Sequence, residues 1–253
     1  MIVKNTQRRE LAICGLASVQ ALASVRPQDV RRFFYTEEHA RDFGSLCSAL
    51  ASRRMPYRLV TPGELEKLSG TAHHQGVVAM VEDTPMEAVS DELLASWSKG
   101  MSRIVVLDRV GDDHNLGSIA RSAAFFGWTA MVIGRDSGSA SLTTSAYRVA
   151  RGALERIRVY SDETAARFLQ RCRGRIATIG ADHRGTLSLK DARSSSTMIA
   201  GSLALVLGNE ETGLSPSTRS ACGHLVRVDG SGIVESLNVS QAAAVFLYEL
   251  RGT

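Results

Sequence analysis

The run LALVLG (203–208) is apolar throughout and breaks at Gly208 into NEETGLS (209–215), setting Asn209, Glu210, Glu211 and Thr212 before a second glycine. A short apolar run bounded by turn residues reads as a buried strand, and its polar, glycine-bounded continuation as the loop that leaves it. Alone, the stretch is what any protein of strands and helices contains. Its place in a longer series decides the fold.

Strands are expected at RIVVLD (103–108), AMVIG (130–134), RIRVY (156–160), RIATIG (175–180), SLALVLG (202–208) and HLVRVD (224–229). Helical segments lie between most of them, including NLGSIARSAAFFG, TTSAYRVARG and ETAARFLQRC, with LNVSQAAAVFLYELR after the last. Apolar strands alternating with helices give an α/β fold with a mainly parallel sheet covered on both faces. By pattern alone this is an ordinary doubly wound sheet, which binds ligands at the carboxyl ends of its strands.

Residues 1–95 read as a smaller α/β unit. It has a helix at LASVQALASV, strands at 31–36, 57–60 and 76–83, a long helix through EEHARDFGSLCSALASRR and a short one from TPGELEKLSG. Thr61, Pro62 and Glu64 form a capping box with proline just inside the helix. PMEAVSDELLASWSKG (85–100) reads as a polar, helix-like link to the second domain, 101–253.

The 253 residues, 44% hydrophobic, suffice for one large or two ordinary domains. No apolar run approaches the roughly 20 residues of a membrane span, and the N-terminus lacks a signal-peptide core, so the expected location is the cytoplasm, without membrane association. Cys14, Cys47, Cys172 and Cys222 are far apart, without a CxxC pair, and read as small buried hydrophobes. The histidines show no ligand spacing, and no metal is expected. Charge is uneven: residues 148–175 hold eight arginines against three acids. Such a cluster suits phosphate backbones, and suits a solvated helix face equally well.

Two further strand ends carry unusual residues. In VLDRVGDDHNLGSIARSAAFFGW, Asn115 stands where a helix N-cap belongs and Gly127 where the helix stops. Leu116, Ile119, Ala120, Ala123 and Ala124 make the packing stripe, so Arg121 is not needed for burial. In DGSGIVESLNVSQAAAVFLYEL a glycine-rich loop feeds Ser236 and Asn238 into an alanine-rich helix, with Ser236 a candidate N-cap. Neither loop follows GxGxxG, so a dinucleotide fingerprint is absent.

Taken in order, HNLGSIARSA, LALVLGNEETGLS and SLNVSQA resemble the three motifs of the SpoU/TrmH branch of the SPOUT RNA methyltransferases. The likeness runs from about Arg103 to Leu250 and includes VARGALE (149–155). GLASVQALA (15–23) and HHQGVVAMV (73–81) are similar to the accessory domain of that branch's ribosomal-RNA ribose methyltransferases, a small α/β domain related to RNA-binding ribosomal proteins. Ser18 lies near a place where relatives often carry His-Ala.

The resemblance implies a deep C-terminal trefoil knot, a homodimer, and S-adenosylmethionine held by loops around 207–213 and 228–238. By motif position Gly208, Val228 and Leu237 contact the cofactor, mostly through backbone; Gly208 is expected to let the chain approach it. The implied reaction is methyl transfer to a ribose 2′-hydroxyl of structured RNA, ribosomal rather than transfer RNA on the strength of the N-terminal likeness. Asn115, Arg121, Glu210, Ser236 and Asn238 fall at the catalytic positions. Family proposals make the arginine a base; a guanidinium holds its proton throughout the physiological range, so a grip on the 3′ phosphate serves equally well. Glu210 is a candidate to hold Asn115 or Arg121 in place.

Three other readings compete. A non-catalytic RNA-binding protein retaining the SPOUT fold would fail to bind S-adenosylmethionine. A base-modifying SPOUT enzyme conflicts with SLNVS, which marks the ribose branch. An oxidoreductase lacks its dinucleotide loop.

Overall fold

The computed structural model describes residues 9–195, 198 and 200–252. In chain order its elements begin with β1 (Glu10–Cys14), α1 (Leu16–Val25), β2 (Val30–Tyr35), α2 (Gly44–Ser52), β3 (Tyr57–Leu59), α3 (Pro62–Ser69) and β4 (Val77–Glu82). There follow β5 (Glu87–Ala88), α4 (Asp91–Lys99), β6 (Arg103–Asp108), α5 (Asp113–Phe125), β7 (Ala130–Gly134), α6 (Thr144–Ala150), β8 (Arg158–Asp162) and α7 (Ala165–Cys172). The last are β9 (Ala177–Ala181), β10 (Leu187–Ser188), α8 (Leu189–Ser194), β11 (Leu203–Gly208), α9 (Pro216–Ala221), β12 (His224–Arg227) and α10 (Val239–Glu249). They gather into two compact units, Met1–Pro85 with Ser141–Arg156, and Met86–Ala140 with Ile157–Thr253.

The first unit is a four-stranded sheet in the order β1-β4-β2-β3, antiparallel except for the β2/β3 pair. Every residue from Val77 to Val81 is buried, as a strand covered on both faces requires. Ala12, Cys14, Phe34, Val78 and Met80 pack with Leu65 of α3 on one face. The capping box of α3 is formed, Thr61 Oγ1 accepting from Glu64 N at 3.4 Å and Glu64 Oε2 from Thr61 N at 2.9 Å. The Thr61 N–H bond holds the Glu64 carboxyl below the usual carboxylate range.

Two expectations here are corrected. The long helix over 37–54 is a single turn at Glu37–His39 followed by α2 from Gly44, because EEHARDF offers little apolar surface to bury before Phe43. Strand β1 was not expected at all; ELAIC is too short a run to stand out after a polar, basic lead.

Residues 141–156 lie between β7 and β8 in the chain yet pack in this first unit. Gly152 has φ +89, and a Cβ there would sit 2.7 Å from Ala21 Cβ and 2.9 Å from Ala17 O, so only glycine allows this approach to α1. Ser18 Oγ donates to Tyr147 O at 2.8 Å, and Arg26 grips Glu155 with two bonds of 2.6 and 2.9 Å.

The second unit is an eight-stranded sheet in the order β10-β12-β9-β11-β6-β7-β8-β5, with every pair parallel. The parallel sheet expected from the alternating pattern is therefore present, with β6, β7 and β11 buried along their whole lengths. The stretch 85–100 is corrected from a link to part of this sheet and core. Glu87 and Ala88 pair with β8, while Leu94 and Trp97 of α4 pack against Tyr160 and Phe168. Two buried residues one turn apart are enough to seat a nine-residue helix, and too few to register as a strong repeat.

Burial pushes the Cys14 thiol up to about 11 and those of Cys172 and Cys222 to about 12. These three thiols are therefore neutral at pH 8 and poor nucleophiles. Alkylation of the native protein at that pH is expected to spare them and to reach all four cysteines once the chain is denatured. Rapid native labelling of Cys172, read by mass spectrometry, would contradict the packing around α7.

Candidate active site

The carboxyl ends of β6 and β11 lie side by side, and a network of polar groups joins the loops that leave them. Asp108 is 1% exposed and accepts from Ser215 N at 2.6 Å, tying the end of β6 to the far side of the turn after β11. Within that turn the backbones of Asn209 and Gly213 pair in both directions, at 3.1 and 2.9 Å. Asn209 Oδ1 accepts from Glu211 N and Thr212 N, and its Nδ2 donates to Arg109 O at 2.9 Å. One asparagine thus shapes the turn and anchors it to the neighbouring loop.

Glu210 is the junction. Its carboxylate accepts from Asn115 Nδ2 at 2.8 Å, Gly111 N at 3.3 Å, Asp112 N at 3.4 Å and Asn209 Nδ2 at 3.3 Å. The helix of the first motif and the turn of the second are therefore one assembly, with Asn115 buried beside Glu210. With one amide N–H committed to Glu210, the Asn115 side chain is held in one orientation, its carbonyl oxygen and second N–H remaining to bind.

The fold gives Gly208 a reason of its own to be glycine. A Cβ there would lie 2.4 Å from both Gly213 C and Leu214 N and 2.6 Å from Gly213 O. The chain's own returning turn occupies the space.

Gly208, Val228 and Leu237 all line one pocket of about 890 Å³, together with Glu210 and Ser236. Its remaining walls come from the loops after β9, β11 and β12 and from Val239, Ala242 and Phe246 of α10. Asn238 lies just outside the lining and is the true N-cap of α10: its Oδ1 accepts from Ser240 N at 2.9 Å. That corrects the expectation for Ser236, which sits two residues too early. The cap of α5 is Asp112, accepting from His114 N at 2.7 Å, so Asn115 is inside the first turn rather than at the cap. Arg121 is exposed on α5, outside the pocket lining, and bonds to no described residue.

The loop Asp182–Arg184 also lines the pocket and was not singled out from the sequence. Asp182, 8% exposed, accepts from Arg184 N at 2.8 Å and pairs with Arg219; His183 Nε2 lies 3.5 Å from Glu235 Oε1. The available signal was position: ADHRG follows β9 at a carboxyl end, where parallel sheets place ligands. The arginine-rich stretch 148–175 divides. Arg167 pairs with Glu163, and Arg171 with Asp162 and Asp91, so these serve the fold.

The pocket suits S-adenosylmethionine. It falls within the about 300–1,000 Å³ range of small-molecule sites. Glycine-bounded loops offer backbone groups, and Val228 and Leu237 offer apolar surface for an aromatic ring.

A family model described as the SpoU rRNA methylase family matches residues 102–248. The chain belongs to the SpoU rRNA methylase family. A second model, RNA 2′-O ribose methyltransferase substrate binding, matches 12–87. Among relatives of this SpoU methylase, the 23S rRNA (guanosine-2′-O-)-methyltransferase RlmB of Acinetobacter baylyi is 35% identical over 242 residues, covering 93% of this chain and 94% of the relative. The protein of the same name from Nitrosomonas europaea is 32% identical, covering 94% and 89%. In fold the chain is similar to a putative RNA methyltransferase of the TrmH family from Porphyromonas gingivalis, with TM-score 0.75, 23% identity, and 98% and 91% of the two chains covered. It is also similar to AviRb from Streptomyces viridochromogenes in complex with AdoMet, with TM-score 0.73, 23% identity, and 98% and 91% covered. This SpoU methylase is thus an RNA ribose 2′-O-methyltransferase. The oxidoreductase, base-modifying and non-catalytic readings are set aside.

Proposed function

We propose that the protein methylates the 2′-hydroxyl of a guanosine in 23S ribosomal RNA. The observation that carries this reading is end-to-end similarity, at 35% identity over 93% of the chain, to a relative named for that reaction. Bound S-adenosylmethionine supplies an electrophilic methyl group, whose transfer leaves S-adenosylhomocysteine. Gly208, Val228 and Leu237 hold the cofactor, and Glu210 orients Asn115 toward the reacting ribose. With its oxygen committed to capping α10, Asn238 has its amide N–H groups to donate, beside the hydroxyl of Ser236. Arg121 grips the ribose or its 3′ phosphate, easing charge that develops as the hydroxyl loses its proton.

The working form is a homodimer. Phe125 is 82% exposed on α5, and Tyr248 and Val245 are exposed on α10. Phe126 bridges Phe125 and Tyr248 at ring separations of 5.1 and 5.6 Å, making one continuous aromatic surface. A second copy would cover such a surface. Arg121 lies one turn before Phe125, so a dimer through this face carries Arg121 to the partner. The C-terminal trefoil knot belongs to the same reading and is supported by strand order: β12 lies beyond β9, while β11, between them in sequence, lies on the other side.

The unit Met1–Pro85 with Ser141–Arg156 serves as the RNA-binding accessory domain, related to ribosomal proteins, and Met86–Ala140 with Ile157–Thr253 as the methyltransferase domain, in place of a division at 95–101. The site of action is the cytoplasm; no described helix is long and apolar enough to cross a membrane. The deciding experiment incubates the protein and S-adenosylmethionine with 23S and transfer RNA from cells lacking the gene. A new alkali-resistant 2′-O-methylguanosine in 23S RNA is expected. Methyl label on a base, or only in transfer RNA, would overturn the proposal.

A further inference from the structure

Within the first unit, four arginines are half-buried: Arg26, Arg32, Arg53 and Arg148. Three have acceptors. Arg26 holds Glu155, Arg32 holds Glu10, and Arg53 donates to Pro27 O and Val30 O at 3.0 and 3.1 Å. Arg148 has neither a hydrogen bond nor an ion pair with any described residue. A half-buried guanidinium has lost part of its hydration and carries five N–H donors, so lacking an acceptor among the described residues is costly unless a ligand supplies one.

A second unusual group lies against the same spot. Gln75 is exposed and held at φ +50, a conformation that costs any residue with a side chain, between buried His74 and Gly76 at φ +72. The turn is fastened on both sides: Gly15 N donates to His74 O at 3.1 Å, and Gly76 N donates to His74 Nδ1 at 3.1 Å. Gln75 Oε1 accepts from Leu16 N at 3.1 Å, which turns its amide so that the two N–H groups are the ones left to bind. A Cβ on Gly15 would lie 3.3 Å from Gln75 Oε1 and 3.7 Å from Arg148 Cγ. Gly15 is therefore the floor of a small depression flanked by the Gln75 amide and the stem of Arg148. Arg151, exposed and three residues further along, has no described partner either.

The two side chains flanking this floor, the Gln75 amide with its free N–H groups and the Arg148 guanidinium, both offer donors, and one is a cation. Such a surface fits an anion rich in acceptor oxygens, and a planar guanidinium fork beside an amide matches the oxygens of a phosphodiester. Resting on the reading of an RNA ribose methyltransferase, we infer that Gln75 and Arg148, with Arg151 beside them, bind a backbone phosphate of the RNA substrate. Arg148 and Arg151 come from the stretch matched by the methylase family model, whereas Gln75 comes from the one matched as substrate binding. The RNA-contacting surface is built from both.

The test uses the full chain and a fluorescent 23S RNA transcript, with binding followed by anisotropy over a range of potassium chloride. Arg148→Ala and Gln75→Glu are each expected to weaken binding about ten-fold, the scale of a lost hydrogen bond to a charged group. Gln75→Glu keeps an acceptor for Leu16 N–H while placing negative charge where the donors were. Arg148→Ala should also reduce the slope of log affinity against log salt by about 0.7 to 0.9, the loss of one phosphate contact. S-adenosylmethionine affinity and the melting temperature should match the parent. Parental RNA affinity and salt slope in both variants would overturn the inference. So would affinity lost only in Arg148→Ala and in step with thermal stability, since the cation would then serve the C-terminus of α6. Ribose methylation by the parent chain is measured alongside, so failure of the methyltransferase reading shows there and not in the binding comparison.

Discussion

Arg121→Ala is expected to lower turnover by about two orders of magnitude or more, the scale of losing a preorganised transition-state contact, while leaving S-adenosylmethionine affinity close to the parent's. The side chain is exposed, bonds to no described residue and is absent from the pocket lining, so its removal disturbs neither the fold nor the cofactor site. Its effect must appear in the step that involves RNA. Arg121→Lys should rescue little, because an ammonium keeps the charge without the planar fork. If Arg121 reaches the partner's site in the proposed homodimer, mixing Arg121→Ala with a cofactor-dead variant should restore part of the activity. Near-parental turnover of Arg121→Ala at saturating RNA and cofactor would return Arg121 to the role of a solvated helix residue.

Gly208→Val should abolish cofactor binding through the backbone. A Cβ at this position meets Gly213 C and Leu214 N at 2.4 Å, and these are main-chain atoms with no rotamer to yield. To admit the side chain the turn must open, breaking the Asn209–Gly213 pairing and moving Glu210 away from Asn115. The site and its two motifs would come apart together. Overpacking of this kind costs about 1–3 kcal/mol or more, so a lower melting temperature is expected as well. Calorimetry showing parental S-adenosylmethionine affinity in Gly208→Val would mean that the turn can open without harm to the pocket. The same variant is the natural partner for the Arg121→Ala mixing experiment.

The alternation of apolar strands with helices was legible in the sequence because a parallel sheet covered on both faces leaves continuous apolar runs. β6, β7 and the core of β11 fall where RIVVLD, AMVIG and SLALVLG placed them. Short or weakly patterned elements were not legible. β5 and β10 are two residues long, α4 seats itself with two buried side chains, and β1 is five residues behind a polar lead. The caps shifted too, because Asp112 and Asn115, like Ser236 and Asn238, are all competent side chains and only the backbone path selects among them.

Motif order in the sequence by itself determined the family, and with it the reaction and the cofactor, since those motifs are local strings that survive any rearrangement around them. Tertiary structure alone decided why the residues stand as they do. Glu210 is 95 residues from Asn115 and meets it because β6 and β11 are neighbours in the sheet. Gly208 is dictated by a turn that folds back on it, and Arg148 reaches Gly15 because residues 141–156 pack in the first unit. Each of these depends on contacts between residues distant in the chain. A one-dimensional pattern records which side chains are present, but the strand order and the returning turns determine which of them touch.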